Sequence, residues 1–419
     1  MTREDERFAR TDLPGGLTVL SEEMPGVRSV SLGVWVRGGP IAEAREEMGA
    51  SHLLEHMAFK GTRRLDAGEI ALVVERLGGS LDAYTAREHT SYQARVLDEH
   101  VDTALDVLAE LVLSPALRAE DLEREREVVL EEIATVEDTP DDLVFELHGE
   151  ALWGDHPYGY RILGTRESVG SITAERLRRT HERWYRRANL LVAAAGGVRH
   201  DAFVARVRER FADARAGGGE VDAPEPSPVV GREVRIERPT SQTHIVFGAK
   251  TFGYGDPRRY ALALVSAALG GGMSSRLFRR VREELGLAYT VYSYQSFYRR
   301  AGVTGVYVGT RPEWAERARD VVRGELARLA SEGLSERELE DAKGQLKGQL
   351  VLSLESSGAR LQRLAGFVLF DRPFLTLDAL MARIDDVAAD EVAAVAAEHL
   401  DPEGQVVVRL GPGGRRTQP

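Results

Sequence analysis

The chain has 419 residues, of which 43% are hydrophobic and 29% charged, a composition typical of globular proteins and long enough for two domains of roughly 200 residues. Its 67 acidic and 55 basic residues give a net charge of −12, which argues against nucleic-acid binding. The absence of cysteine excludes thiolate metal ligands and disulfides, and no apolar run approaches the ~18 residues of a membrane-spanning helix.

The start of the chain is charged. Residues 1–7 read Met-Thr-Arg-Glu-Asp-Glu-Arg and lack the apolar core of a secretory signal. A chain without thiols is also compatible with a reducing compartment. We therefore expect a cytoplasmic protein.

A strand and a helix follow. Residues 30–36 alternate between apolar and other side chains, which predicts a half-buried β-strand, and Gly-Gly-Pro at residues 38–40 ends it. Residues 48–59 contain no helix breaker beyond Gly49, so they can form about three turns of helix. Apolar residues around its polar face indicate that this helix is largely buried.

The predicted helix carries the sequence His-Leu-Leu-Glu-His at residues 52–56. At about 100° per residue, His52 and His56 lie about 40° apart around the helix, with Glu55 beside them. Two neutral imidazoles so placed can bind one Zn²⁺, and an adjacent carboxylate can accept a proton from water. A pair of surface histidines is the alternative, because five residues with three fixed letters also recur by chance.

A further ligand would have to be an oxygen, since the chain has no cysteine. Residues 118–147 predict a long helix with a possible interruption at Pro140. Within it Glu125 and Glu132 are seven residues apart and share one stripe. Most glutamates on such a helix are simply solvated, so spacing alone does not select one of them.

A predicted linker separates two halves of the chain. Glycines and prolines between residues 212 and 231 are typical of a linker, and the strands and helices predicted after it repeat the order of the first half. No second His-x-x-Glu-His occurs. We expect an α+β fold of two similar domains, each a mostly antiparallel sheet with helices packed on one face. The predicted boundaries are residues 1–215, a linker at 216–231, and residues 232–419.

The sequence of residues 52–62, His-Leu-Leu-Glu-His-Met-Ala-Phe-Lys-Gly-Thr, closely resembles the zinc-site motif of the M16 metallopeptidases. That family includes pitrilysin, insulin-degrading enzyme and mitochondrial processing peptidase. In it a glutamate 76 positions after the second histidine completes the site, and this position holds Glu132. A supporting acidic residue seven positions earlier corresponds to Glu125.

The resemblance implies one Zn²⁺ per chain, with His52, His56 and Glu132 as ligands. It makes Glu55 the general base, and Glu125 a carboxylate that orients a ligand. The order His-x-x-Glu-His is that of the inverzincins. The size of the chain matches the short, two-domain branch of the family.

A further match covers residues 78–92, where the family pairs an extended substrate with a strand edge through backbone groups. The resemblance implies substrate contacts at Asp82, Ala83 and Thr85. The family usually has Asn at the position of Asp82. A carboxylate cannot donate as an amide does, so only the backbone contacts carry over there.

In the second half, three consecutive glycines at residues 270–272 precede a segment that ends at Tyr289. The segment lacks the Lys-Ser/Thr ending of a phosphate-binding P-loop. In the family an arginine and a tyrosine seven residues apart in this local sequence hold the substrate carbonyl. Arg282 and Tyr289 match them, and their task would be to stabilise the developing oxyanion.

Together these features predict a zinc-dependent endopeptidase of peptides or unfolded segments. In the short branch two chains form a clamshell, so a homodimer is expected, with Arg282 and Tyr289 of one subunit facing the zinc of the other. No membrane or nucleic-acid partner is expected. Two alternatives stay open: a non-catalytic scaffold or substrate-binding subunit of a heterodimeric complex, and an active chain whose partner is a different, metal-less chain.

Overall fold

The computed structural model describes residues 6–219, 221, 223–227 and 229–412. Strands within this part of the chain are β1 Arg7–Asp12, β2 Thr18–Glu23, β3 Ser29–Arg37, β4 Ser80–Ala86, β5 His89–Leu97, β6 Leu190–Gly196, β7 Glu233–Glu237, β8 Thr243–Phe252, β9 Ala288–Phe297, β10 Ala301–Thr310 and β11 Val406–Gly411. The helices are α1 Ala50–Ala58, α2 Ala67–Arg76, α3 Val101–Leu113, α4 Ala119–Asp138, α5 Pro140–Trp153, α6 Arg166–Ser171, α7 Ala174–Trp184, α8 His200–Arg210, α9 Arg259–Gly270, α10 Ala315–Glu332, α11 Glu336–Ser353, α12 Ser357–Leu369, α13 Leu377–Asp385 and α14 Ala389–His399. The predicted α+β class is confirmed.

The chain folds into two compact units. Unit 1 takes the described residues within Met1–Ala134, Tyr160–Pro224 and Leu352–Thr376, and unit 2 takes those within Thr135–Gly159, Glu225–Val351 and Leu377–Pro419. The units are therefore not continuous in sequence. Residues 135–159, which fall in the predicted first domain, belong to unit 2, and residues 352–376, which fall in the predicted second domain, belong to unit 1.

Unit 1 is built on a six-stranded sheet in the order β1-β2-β6-β3-β5-β4. Neighbouring strands are antiparallel except for the parallel pair β2 and β6. On one face, Val30, Leu32, Val34 and Val36 of β3 join the core formed with α1, α3 and α8. The strand predicted at residues 30–36 thus lies within β3.

The other face of this sheet is covered by α12. Trp35 of β3 packs with Leu361 and Leu364 of this helix. The hydroxyls of Ser31 and Ser357 also lie 2.9 Å apart there. Strand β3 is consequently buried on both faces, not half-buried as its alternation predicted, because a helix from late in the sequence shields the second face.

Unit 2 has a five-stranded sheet in the order β7-β11-β8-β10-β9, with β7 and β11 parallel and the other pairs antiparallel. Helices α9, α10 and α14 contribute to the main core. Helix α5 packs against β8 and β11, where Nε2 of the buried His148 lies 3.2 Å from the carbonyl oxygen of Val406. Both sheets are mostly antiparallel, as expected. Helix α12 of unit 1 and helix α5 of unit 2 lie in the two segments that the predicted boundaries assign to the other domain.

The break between α4 and α5 falls where the sequence predicts it. Helix α4 ends at Asp138 and α5 begins at Pro140, which is favoured at the first position of a helix because it needs no amide donor. Between Arg210 and Glu233 the described residues form no helix or strand, as expected for a linker. Glu220, Asp222 and Pro228 of that linker, and residues 1–5 of the charged start, lie outside the described residues. Among the described residues, no helix is both long and apolar enough to cross a membrane.

Candidate metal centre

Helix α1 is held at its first turn by a buried carboxylate. Glu43 accepts hydrogen bonds from the backbone amides of Gly49 (3.0 Å) and Ser51 (2.6 Å), two donors that the helix itself leaves unsatisfied. Gly49 has φ = 89°, and a Cβ there would lie 2.6 Å from the carbonyl oxygen of Leu163. Burial raises the pKa of Glu43 to about 7. The start of α1 is thus fixed in place by this side chain and by a position that requires glycine.

The two histidines predicted as ligands converge with Glu132 of α4. Nε2 of His52 lies 3.7 Å from Oε2 of Glu132, and Nε2 of His56 lies 3.6 Å from the same oxygen. The imidazole centroids are 4.6 Å apart. One ligand atom from each of the three residues lies within 4.8 Å of the others. All three belong to unit 1.

These distances fit a zinc ion. Zinc bonds of 2.0–2.1 Å in a tetrahedral site separate neighbouring ligand atoms by about 3.3 Å, so shifts of a few tenths of an ångström would complete the geometry. Burial lowers the pKa of His52 to about 3, with a smaller contribution from His56, which keeps this imidazole neutral as a ligand must be. Two imidazoles and one carboxylate are also the donor set of catalytic zinc sites.

The ring of His56 is oriented from behind by a charged pair. Its Nδ1 lies 3.3 Å from Oε2 of Glu125, so the ring can donate there and keep the Nε2 lone pair for a metal. The other Glu125 oxygen accepts from Nζ of Lys60 at 2.8 Å. Glu125 is 5% exposed and so needs both partners. The sequence placed Glu125 on the correct stripe of α4.

Glu55 lies beside the ligands and is almost fully buried. Its Oε2 accepts a hydrogen bond of 2.5 Å from the hydroxyl of Thr85 in β4. Burial raises the pKa of Glu55, against the opposing effects of this hydrogen bond and of His56. A carboxylate with a raised pKa is a stronger proton acceptor, which suits a general base.

Strand β4 forms the edge of the unit 1 sheet, paired along one side with β5. Ala83 contacts the main core, whereas Asp82 is exposed, as expected for neighbours on a strand. Thr85 shares the face of Ala83 and reaches Glu55. The structure therefore brings Thr85 to the metal centre and leaves the Asp82 side chain on the opposite face.

Arg282 and Tyr289 come together in unit 2. The guanidinium carbon of Arg282 lies 4.2 Å from the centroid of the Tyr289 ring, and 4.7 Å from that of Phe278. Arg282 lies in a π-helical segment, Phe278–Glu284, a rare conformation that is frequent at functional sites. Tyr289 is 76% exposed, so most of its side chain is open to solvent.

The structure adds residues that sequence reasoning did not select. Lys60 lies within the quoted motif, but its partner Glu125 is 65 positions further along the chain. Glu43 is one of many acidic residues in a charged stretch, and no sequence signal distinguishes it. Thr90 contacts Thr85, and Tyr185 contacts Thr90. No sequence pattern distinguishes either residue.

The fold and the site define a class of protein. Residues 18–166 match the model of Insulinase (Peptidase family M16), and residues 171–346 match that of the Peptidase M16 inactive domain. Together with the relatives below, these matches show that the chain belongs to peptidase family M16. Residues His52, Glu55, His56 and Glu132 all fall within the first match.

Relatives named uncharacterized zinc proteases share much of the sequence. The protein from Streptomyces coelicolor is 40% identical over 96% of this chain and 89% of its own length. YmxG of Bacillus subtilis is 38% identical over 95% of this chain and 97% of its own length. A solved structure titled as a peptidase M16 inactive domain, from Pseudomonas fluorescens, has a TM-score of 0.91 at 25% identity, covering 97% of this chain and 98% of that one. A protease from Helicobacter pylori, 22% identical, shares the fold with a TM-score of 0.90 over 97% of this chain and 100% of that one.

Proposed function

We propose that this protein is a zinc-dependent endopeptidase that hydrolyses peptides or unfolded protein segments. The observation that carries the proposal is the convergence of His52, His56 and Glu132, with Glu55 buried beside them. When bound, zinc would supply Lewis acidity, lowering the pKa of water to about 7 and polarising the substrate carbonyl. The names of the relatives point to the same activity.

The chain's own residues supply the proton chemistry. Glu55 accepts a proton from the attacking water and returns it to the leaving amine nitrogen. Glu125, neutralised by Lys60, accepts from Nδ1 of His56 and keeps that imidazole turned toward the metal position. The result is a base and a ligand set that are held in place before substrate arrives.

Substrate would add to the open edge of β4 as an extended strand. Backbone groups on the free side of β4, in the stretch that contains Asp82 and Ala83, can pair with a peptide main chain, which gives affinity without demanding a particular sequence. Arg282 and Tyr289 would donate to the carbonyl oxygen as it becomes an oxyanion. In the proposed homodimer these two residues come from the partner copy.

Metal content and peptide cleavage test the proposal together. Purified wild type is analysed by mass spectrometry for bound metal and assayed with a library of quenched-fluorescent peptides. One zinc per chain and cleavage that chelators abolish are expected, and Glu132→Gln should lose both. Glu131→Gln is the matched control, because Glu131 is the exposed neighbour on the same helix.

Three results would contradict the proposal. Failure to retain zinc after reconstitution would reduce the α1 histidines to a structural role and favour the non-catalytic scaffold. Zinc without cleavage of any peptide would favour a chain that needs a different, metal-less partner. Equal losses in Glu132→Gln and Glu131→Gln would show that the site has been misassigned.

A further inference from the structure

The carboxylate of Glu55 is held by a hydroxyl from a different element. Thr85 Oγ1 donates to Glu55 Oε2 at 2.5 Å. Glu55 lies on helix α1 and Thr85 on strand β4, so the contact joins two rigid elements of unit 1. The hydrogen bond engages one carboxylate oxygen and leaves Oε1 available for a proton.

The register of the β4–β5 hairpin places a second hydroxyl behind the first. Thr85 is paired with Thr90 across the two strands, and their Oγ1 atoms are 3.4 Å apart. Threonine is branched at Cβ and has few χ1 rotamers, so neither hydroxyl can swing far. Thr90 is 3% exposed. Water therefore has little access to this end of the contact.

Two buried tyrosines extend the series. The hydroxyls of Tyr185 and Tyr92 lie 2.8 Å apart, and the Thr90 side chain is hydrogen-bonded to Tyr185. Burial raises the pKa of both phenols, so they keep their protons and act as donors. Each hydroxyl has a single proton, and an ionised carboxylate can only accept. Because Thr85 donates its proton to Glu55, it can only accept from Thr90.

Such a series stabilises one orientation of the base. Hydrogen-bonded groups polarise one another, and each hydroxyl next to Thr85 in this series has a partner. A hydrogen bond from Thr85 to water could not replace its bond to Glu55, because it would leave the threonine hydroxyl free to rotate. The contact thus fixes where Glu55 Oε2 lies, and with it the direction of Oε1.

We propose that Thr85 is a positioning residue for Glu55, held in turn by Thr90 and Tyr185. This inference rests on the proposed function and assigns Thr85 a role other than the substrate contact implied by the family resemblance. The two roles differ in kinetics. Loss of a substrate contact raises KM, whereas misplacement of the base lowers kcat and leaves KM nearly unchanged.

The first test compares Thr85→Val with Thr85→Ser. Valine keeps the branched shape and removes the donor, and serine keeps the donor. In Thr85→Val, kcat should fall about 10- to 100-fold, because a base misplaced by an ångström costs roughly that much. KM and zinc content should stay near wild type, and Thr85→Ser should recover most of the loss. Thr304→Val, at a buried strand threonine of unit 2, should leave kcat unchanged.

The second test does not depend on activity. Crystal structures of metal-free wild type and Thr85→Val should show Glu55 in one conformer in the former and displaced or in several conformers in the latter. An unchanged Glu55 together with an unchanged kcat would overturn the inference, and a rise in KM alone would restore the substrate-contact role. If wild type itself cleaves nothing, the proposed function fails, and the position of Glu55 in the two crystals still decides this inference.

Discussion

The two units share one strand arrangement but differ in chemistry. Leaving aside β1, the order β2-β6-β3-β5-β4 of unit 1 repeats in unit 2 as β7-β11-β8-β10-β9, including the parallel first pair. In each unit the third strand of this order leads into a helix, α1 after β3 and α9 after β8. Helix α1 carries two histidines and a glutamate, whereas α9 reads Arg-Tyr-Ala-Leu-Ala-Leu-Val-Ser-Ala-Ala-Leu-Gly.

The partner helices differ in the same way. When α4 and α11 are aligned on Leu122 and Leu339, the position of Glu125 holds Ala342 in unit 2. The position of Glu132 holds Gln349. Among the described residues, unit 2 accordingly contains no group of metal ligands. The two units therefore share a strand order, and among the described residues the metal-ligand side chains at these helix positions lie in unit 1.

The proposed role of unit 2 predicts the largest effect. Arg282→Ala should lower kcat about 10²- to 10³-fold, as expected for loss of one oxyanion donor, while zinc content stays at the wild-type level. Such a result would contradict the hypothesis that unit 2 takes no part in catalysis. Glu55→Gln should be inactive for the separate reason that it lacks the base.

Mixing those two inactive chains tests whether unit 2 acts across a dimer. Random exchange gives half heterodimers, each with one complete site of two, so about a quarter of wild-type activity should return. Glu55→Gln mixed with Glu132→Gln is the matched control and should stay inactive, because both defects lie in unit 1. No recovery in heterodimers verified by native mass spectrometry would mean that Arg282 does not act in trans.

A smaller effect on zinc affinity should distinguish an ion pair of unit 1 from one of unit 2. Glu125→Gln or Lys60→Met should weaken zinc binding about 10- to 100-fold, because each disturbs the support of His56. In unit 2, Arg276 binds Glu338 at 2.7 and 2.8 Å and holds the pKa of that carboxyl near 2. Arg276→Met should lower Tm and leave zinc affinity unchanged, as competition titrations with a chelating dye would show. Equal zinc affinities in all three variants would contradict the role given to Lys60 and Glu125.

The sequence predicted the strands and helices that carry the metal centre more fully than the packing contacts that hold them in place. Local periodicity placed β3, α1 and the break at Pro140, because each depends on neighbours a few residues away. It could not show that α12 covers the second face of β3. An apolar helical face indicates burial but not which sheet buries it. Nor could it separate the roles open to Thr85, since the distance to Glu55 depends on how α1 packs against β4.

The smallest predicted effect concerns a feature that the units share. His181 in unit 1 and His148 in unit 2 are buried, and each bonds a backbone carbonyl oxygen, that of Val112 at 2.8 Å and that of Val406 at 3.2 Å. Burial lowers the pKa of both to about 4. The unfolded chain therefore binds a proton that the folded chain excludes between pH 6.5 and 4, and stability falls as the pH falls through that range.

Each histidine should cost about 1 kcal/mol of stability between pH 6.5 and 5.5. Glutamine can still donate to the carbonyl but does not titrate. His181→Gln and His148→Gln should therefore each flatten the dependence of the free energy of unfolding on pH, measured by urea titration. His100→Gln, at a half-buried histidine of unit 1, supplies the control for the substitution itself, because it leaves both buried histidines in place. If only one of the buried variants flattens the slope, the two units differ in how tightly they exclude a proton, and the likeness seen in the fold does not extend to their cores.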